Sequence, residues 1–593
     1  MARRPAAQCL LLAMLTVFTL LTVLTGGVDA TGATEVRSGP VPGTSTPTLF
    51  SAPAGGPATD SASTGRRRDP HPTLSIAPLV GRGERPNVIV IMTDDARNDD
   101  LRFMPHVRRL IGEQGVRFTN AFSPQPLCCP ARASFLTGEY SHNHGVWSQA
   151  PPYGFQALDD RSTLPVWLQD AGYDTVFLGK YLNRYGAQNL PDGRSSLRYV
   201  PPGWTDWRAT VDRGGKAGPS LGGGTYRYFD TTLNVNGTLA PHPGEYQTTL
   251  FGRISREVIR ERARSPRPFF YWASFLAPHH GAPTEADDPR PVLRSDGRKQ
   301  IFRNPARPQR VRGRFDSVIR QAPGYRGEAN VADKPFFLRD VPPLTSAEEA
   351  AVRESARQRA EALWLVDRQV ARLFDTLRRA GELTNTYVMF TSDNGFFLGE
   401  HRMRQGKTLP YEPSLRIPLL VRGPGIPAGE VRTDPFTMID FAPTVLDAAS
   451  VRGPGALDGV SLLDVARRGD RGWTRGILTD TGPRAVESDS QESDNFQVEG
   501  AEPSPLRFSQ GVRTGDYLYV EHASRERELY DLRGDPRQVT NLVRRPDQRS
   551  VVRSLAHELD LLRDCAGRAC SRPLPPTLRT DSPAPTPADG QPD

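Results

Sequence analysis

Lysine is nearly missing from this chain. Of its 75 Lys and Arg residues only Lys180, Lys216, Lys299, Lys334 and Lys407 are lysines, a ratio that reflects a coding bias toward arginine. The net charge of +8 and the pI of about 9.3 therefore carry no case for a nucleic-acid partner, and none is expected. Each remaining lysine becomes informative instead, because a compact ammonium and a planar guanidinium are not interchangeable at a tight anion site. Long apolar runs are also lacking. The stretch from Cys9 to Leu24 is short for a membrane crossing, so no stable membrane span is expected. Arg3 and Arg4 precede that stretch and Val28-Asp29-Ala30 follows it with the small-x-small pattern of a cleavage site. Residues 1–30 thus read as a signal peptide, and the protein is expected to be secreted or held at the cell surface.

Cysteine is equally rare, with five in 593 residues. Cys9 leaves with the signal, Cys128 and Cys129 are adjacent, and Cys565 and Cys570 form a close pair near the C-terminus. An exported chain offers that pair an oxidising compartment, so a small disulfide loop is expected there. A zinc site is set aside because no further Cys or His stands close by in the sequence.

What is present suffices for one large domain with a smaller companion. The length exceeds that of an ordinary single domain, and a hydrophobic content of 37% supports a large core. Residues 31–83 are rich in Pro, Gly, Ser and Thr, with a basic patch at Arg66-Arg67-Arg68, and read as a disordered linker. Residues 84–474 are expected to form the large domain, 475–572 a smaller C-terminal subdomain, and 573–593 a disordered tail.

Four apolar, strand-like runs end in chemically useful residues. Val88 to Met92 leads to Asp94-Asp95, Tyr387 to Phe390 leads to Asp393-Asn394, Thr175 to Leu178 leads to Gly179-Lys180, and Phe269 to Phe275 leads to His279. Continuous apolar runs of this kind fit strands of a parallel sheet buried on both faces. Open α/β sheets bind ligands beyond the carboxyl ends of their strands. The pattern therefore predicts one crevice lined by carboxylates, a lysine and a histidine. Adjacent carboxylates repel each other, and a bound cation is one way to keep both ionised, although Asp94-Asp95 taken alone reads better as a surface turn.

Helices are expected between the strands. The clearest opens on Ser346-Ala347-Glu348-Glu349, carries Leu363, Val366, Val370, Leu373 and Leu377 on one face, and stops at Gly381. Its reading is structural packing alone. Residues 287–343 are rich in Arg and Pro with little periodicity, and read either as a pocket wall that includes Lys334 or as a solvated loop. Asn236-Gly237-Thr238 is a glycosylation sequon on paper and a hairpin turn by preference. Residues Glu487 to Glu502 form an acidic polar insert, and pieces such as Tyr517 to Glu521 and Glu528 to Leu532 predict a small antiparallel sheet.

The stretch Leu127-Cys128-Cys129-Pro130-Ala131-Arg132-Ala133-Ser134-Phe135-Leu136-Thr137-Gly138 resembles the C-x-P-x-R-x-x-x-L-T-G signature of the type I sulfatases. Gly179-Lys180-Tyr181-Leu182-Asn183, Ala277-Pro278-His279, Asp393-Asn394-Gly395, Gly399-Glu400-His401 and Lys407 extend the resemblance, and Cys128-Cys129 with Pro201-Pro202-Gly203-Trp204 looks most like N-acetylglucosamine-6-sulfatases. The resemblance implies an α/β, alkaline-phosphatase-like fold. Its large mixed, mostly parallel sheet is flanked by helices and followed by a smaller antiparallel sheet plus helix.

The resemblance further implies that a formylglycine-generating enzyme oxidises Cys128 to formylglycine, whose hydrate is the nucleophile. Asp94, Asp95, Asp393 and Asn394, with residue 128, would hold one Ca²⁺ rather than Mg²⁺. Arg132 would steady the hydrate, Lys180 and Lys407 would grip the sulfate, and His279 would protonate the leaving alcohol. A geminal diol has an advantage over serine: after one hydroxyl takes the sulfuryl group, the second can expel sulfate and restore the aldehyde. Many sulfatases carry a histidine where this chain has Leu182. His401, His142 and His144 are the candidates to replace it, each with an equal reading as a structural histidine.

The implied activity is hydrolysis of a small-molecule or glycan sulfate ester, either an aryl sulfate or a glycan 6-sulfate. The alternatives are a phosphate or phosphonate monoester hydrolase on the same fold, and a non-catalytic sulfated-glycan binder if Cys128 stays a thiol.

Overall fold

The computed structural model describes residues 85–212, 223–325, 328–481 and 508–580. The signal peptide with Cys9, the linker 31–83, Lys216, the acidic insert 487–502 and residues 581–593 lie outside the described residues.

In chain order the elements that build the site are β1 (Asn87–Asp94), β2 (Val116–Phe118), α1 (Cys128–Thr137), β3 (Asp174–Gly179), β4 (Asp206–Thr210), β5 (Asp230–Val235) and β6 (Thr238–Pro243). They continue with α2 (Gln247–Arg262), β7 (Phe269–Pro278), α3 (Ser346–Arg379), β8 (Thr386–Ser392), β9 (Leu419–Arg422), β10 (Glu430–Arg432) and α4 (Phe441–Ala448). Among the described residues the largest sheet has ten strands in the order β10-β2-β9-β8-β1-β7-β3-β4-β5-β6. Its centre, β8-β1-β7-β3, is parallel throughout, and antiparallel pairs lie toward both sides.

The buried strands follow from their sequences. Side chains alternate across a strand. In β1, Val88, Val90 and Met92 therefore enter the layer with α1 and α4, while Ile89 and Ile91 enter the layer with α2 and α3. β8 divides in the same way, with Tyr387 and Met389 on one side and Val388 and Phe390 on the other. Each such side chain contributes about 1.5–3 kcal/mol by leaving water, so polar residues are pushed to the strand ends.

Three local readings change. The cap of α3 is Thr345, not Ser346: the Thr345 N–H donates to Glu348 Oε2 at 2.7 Å and the Glu348 N–H donates to Thr345 Oγ1 at 3.3 Å. This register lets Glu348 also accept from Arg404 Nε at 2.9 Å. The stretch 287–343 is not structureless, since it holds the strand pair Val292–Leu293 and Lys299–Gln300 and the short helix Phe336–Arg339. Fully buried Arg307 fastens the start of that region, donating to Glu285 at 2.5 Å, Asp287 at 2.6 Å and Glu361 of α3 at 2.6 Å. Disorder from residue 573 onward does not hold for 573–580, where Leu574 and Leu578 are buried and Trp473 N–H donates to Thr580 O at 2.9 Å. At Asn236-Gly237 the hairpin reading applies: both residues have positive φ, at 49° and 91°, between β5 and β6.

The C-terminal part is a four-stranded antiparallel sheet, β11 (Ile477–Asp480), β12 (Ser509–Arg513), β13 (Tyr517–His522) and β14 (Arg527–Asp531), covered by α5 (Arg549–Leu562). Cys565 and Cys570 after α5 are disulfide-bonded. No helix among the described residues is long and apolar enough to cross a membrane.

Candidate active site

The carboxyl ends of β1, β7, β3 and β8 are neighbours, so Asp94 and Asp95, His279, Lys180, and Asp393 and Asn394 arrive side by side. Cys128 meets them from the first turn of α1, whose N-terminal N–H groups favour an anion in front of it. Gly138 closes that helix at φ 73°, a left-handed conformation that glycine adopts without a Cβ penalty.

Arg132, two residues after Pro130 on α1, is fully buried and ties three strand ends together. Its Nε donates to Asp393 Oδ2 at 2.9 Å, Nη1 to Lys180 O at 2.6 Å and Ser274 Oγ at 2.7 Å, and Nη2 to Asp94 Oδ2 at 3.3 Å. Lys180 Nζ lies 2.7 Å from Asp94 Oδ2. Lys407 Nζ donates to Asp95 Oδ1 at 2.5 Å and to Cys128 Sγ at 2.7 Å, and Cys128 Sγ is 3.3 Å from Asp94 Oδ1. His279 Nε2 is 3.8 Å from Asp95 Oδ2. His279 Nδ1 is 2.8 Å from His280 O and must carry the proton there, since a carbonyl only accepts.

The electrostatics follow from burial. Burial and the Asp94 carboxylate push the Cys128 thiol well above its usual range, so the unmodified side chain is a poor nucleophile. Burial works against the charge on Asp95, but Lys407, His279 and Arg359 outweigh it and hold that carboxyl below the ordinary range. Asp393 is pushed up, first by burial and then by Asp94. Lys407 is held above its usual value because Asp95, Cys128 and Asp94 override the effect of burial. Burial and Lys180 push His279 well below its usual value.

The donor set fits a divalent cation. Ligand atoms of Asp94, Asp95, Cys128 and His279 lie within 4.8 Å of one another. Asp95 Oδ2 and Asn394 Oδ1 are buried without a hydrogen-bond partner, although Asn394 Nδ2 donates to Asp95 Oδ1 at 2.7 Å. Buried oxygens are normally satisfied, and two such acceptors beside further carboxylates suit a hard cation.

Four residues singled out from the sequence lie elsewhere. His401 Nδ1 is 2.8 Å from Glu328 Oε2 and its ring stacks on Tyr411 at 4.3 Å. Lys334 pairs with the other oxygen of Glu328 at 2.6 Å and donates to Val539 O at 2.9 Å. His142 donates to Cys565 O at 2.7 Å beside the disulfide. His144 lies 3.0 Å from Ser134 Oγ, and burial pushes it down to about 3. These four side chains bond to Glu328, Val539, Cys565 and Ser134 rather than to the residues around Cys128. The histidine beside the cluster is His280, stacked on His279 at 4.2 Å.

Arg359 was missed. It lies on α3, read as packing alone, yet Nη2 donates to Asp95 O at 2.5 Å and Nη1 to Pro278 O at 3.3 Å. The only signal was an arginine beside the small buried residues Ala356 and Ala360. Asp95 itself has φ 68°, a strained conformation that this bond helps to hold.

Residues 86–451 match the family model described as Sulfatase. The human N-acetylglucosamine-6-sulfatase is 30% identical over 533 residues, covering 84% of this chain and 88% of its own length. The extracellular sulfatase SULF-1 homolog of Drosophila melanogaster is 31% identical over 437 residues, which is 70% of this chain but 35% of that protein. A solved structure in complex with its substrate D-glucosamine-2-N,6-O-disulfate superposes with a TM-score of 0.60 at 23% identity, covering 80% of this chain and 97% of the other.

Proposed function

The chain belongs to the sulfatase family and is a sulfuric ester hydrolase, and from that premise we propose that it is an exported, formylglycine- and Ca²⁺-dependent enzyme acting on an aryl sulfate or a glycan 6-sulfate. The observation that carries this reading is the placement of Cys128 Sγ 2.7 Å from Lys407 and 3.3 Å from Asp94, beside Asp95 and His279 atoms close enough together to hold a metal ion. A formylglycine-generating enzyme is the partner that would convert Cys128 to the hydrated aldehyde that serves as nucleophile. Asp94, Asp95, Asp393 and Asn394 would hold the Ca²⁺, which when bound supplies positive charge against the sulfate oxygens.

The chain's own residues divide the remaining work. Lys180 and Lys407 approach the cluster from different segments and neutralise charge on the sulfate as it grows in the transition state. Arg132 holds Asp94, Asp393 and the backbone of Lys180 in one arrangement, so the site is set before substrate arrives. With Nδ1 committed to His280 O, His279 has only Nε2 for the ester oxygen, and it would protonate the leaving alcohol as the imidazolium, a charge that Asp95 and the bound sulfate would favour. The Cys565–Cys570 disulfide supports export into an oxidising compartment.

Mass spectrometry of the tryptic peptide containing Cys128, from protein made in its own host, tests the reading. The expected result is an aldehyde in place of the thiol, with Cys129 unmodified. An intact Cys128 thiol in active protein would overturn it.

A further inference from the structure

On the sulfatase reading above, the sulfur position is bounded by Cys128, Lys407 and Lys180, and the ester oxygen must come within reach of His279 Nε2. The rest of the substrate then extends past His279. Among the described residues, the side chain of Tyr226 flanks both Lys180 and His279. The ring of Tyr226 has its centroid 5.0 Å from Lys180 Nζ and 5.2 Å from the His279 ring, inclined at 40° to the latter. Tyr226 is half-buried, so part of it reaches solvent beside otherwise buried residues.

Its position is fixed at both ends. The Tyr226 hydroxyl accepts from Asn183 Nδ2 at 3.0 Å, and Tyr226 O accepts from the Ala282 N–H at 2.8 Å. Gly281 allows this close approach, because a Cβ there would come within 2.8 Å of Tyr226 O and 2.9 Å of the Tyr228 ring. A tyrosine held by its tip and its main chain presents its ring with little conformational freedom left to lose on binding.

We propose that Tyr226 is a specificity-determining residue whose ring is the platform for the leaving alcohol, and that this alcohol is a sugar ring. A pyranose offers an apolar C–H face to an aromatic ring and hydroxyls at its edge, and Asn183 places an amide beside that platform. An aromatic surface with a few fixed polar groups is the usual composition of a small-molecule site.

The test uses the modified, calcium-loaded enzyme, with glucosamine 6-sulfate as substrate and inorganic sulfate as product inhibitor. Tyr226→Ala is expected to raise KM for the sugar sulfate about three- to tenfold, the range of one aromatic contact, with the inhibition constant of inorganic sulfate unchanged. Tyr226→Leu, which keeps bulk without a π face, is expected to behave like the alanine variant, and Tyr226→Phe to show a smaller rise. An unchanged KM in the alanine and leucine variants overturns the proposal. So does a sulfate inhibition constant that rises in step with KM, since the ring would then only hold Lys180. A wild-type enzyme that cleaves no sulfate ester would instead defeat the sulfatase reading itself.

Discussion

Cys128 and Cys129 are adjacent thiols in opposite surroundings. The first faces Lys407 and Asp94, and the second is packed into the apolar layer beneath the sheet. The spacing of Cys128, Pro130 and Arg132 was legible because it is local: one helical turn fixes which side chain meets the acidic cluster. The partners of that turn were legible as strand ends, since a buried run can carry polar groups only where it stops. Arg359 was not legible, because its use depends on a helix crossing behind the sheet more than 260 residues after Asp95. It makes no contact with the reacting atoms as placed and acts through the backbones of Asp95 and Pro278. On the calcium reading proposed above, Arg359→Met is expected to weaken the metal about tenfold, the scale of losing a residue that orients a ligand. Titrating activity with calcium measures this, and saturating calcium should recover much of the lost rate. A calcium dependence identical to wild type would mean that Asp95 holds its conformation unaided.

At the scale of elements, α3 shows both what periodicity reveals and what it hides. Its apolar stripe and its stop at Gly381 follow from the sequence, whereas its cap is Thr345, and the Glu348 of that capping box also accepts from Arg404 of another segment. The stripe also contains Asp367, fully buried, with Oδ1 accepting from Val107 N–H at 2.8 Å and Oδ2 left without a hydrogen-bond partner. Burial pushes this carboxyl up to about 6 from an ordinary value of 3.8. The fold thus favours its protonated form, and that stabilisation is present below pH 3.8 and lost as pH rises through 6. Asp367→Asn keeps the acceptor and removes the titration. Its melting temperature should gain on the wild type between pH 5 and pH 8, the neutral-pH difference corresponding to about 1–3 kcal/mol. A gap that stays constant across this range would show that Asp367 is not the titrating group.

At the scale of the whole molecule, the two parts anticipated from the sequence share their cores. Phe397, Met403, Leu409 and Tyr411, on the segment that carries Lys407, pack with Leu518, Val520, Tyr530 and Leu532 of the C-terminal sheet. Leu415 and Ile439 pack likewise with Ile477, Val512 and Tyr519. Strand patterns announced the small sheet, but nothing local in Tyr517 to Leu532 says which surface it covers. Glu412 is one of the polar links across this junction, accepting from Arg416 at 2.7 Å and from Arg513 of β12 at 3.1 Å. Burial opposes its charge, yet Arg416 and Arg513 outweigh that and bring it down to about 2 from 4.5. The resulting stabilisation is present above pH 4.5 and lost as pH falls through 2. Glu412→Gln leaves two buried guanidinium groups without their counter-charge, which costs about 3–5 kcal/mol at neutral pH. The urea midpoint should fall at pH 7, and the gap to wild type should narrow at pH 3. Turnover should fall with it, because the same segment positions Lys407 five residues earlier. A variant that keeps its midpoint at pH 7 would mean that the Glu412 charge adds nothing to the joining of the small sheet to the site.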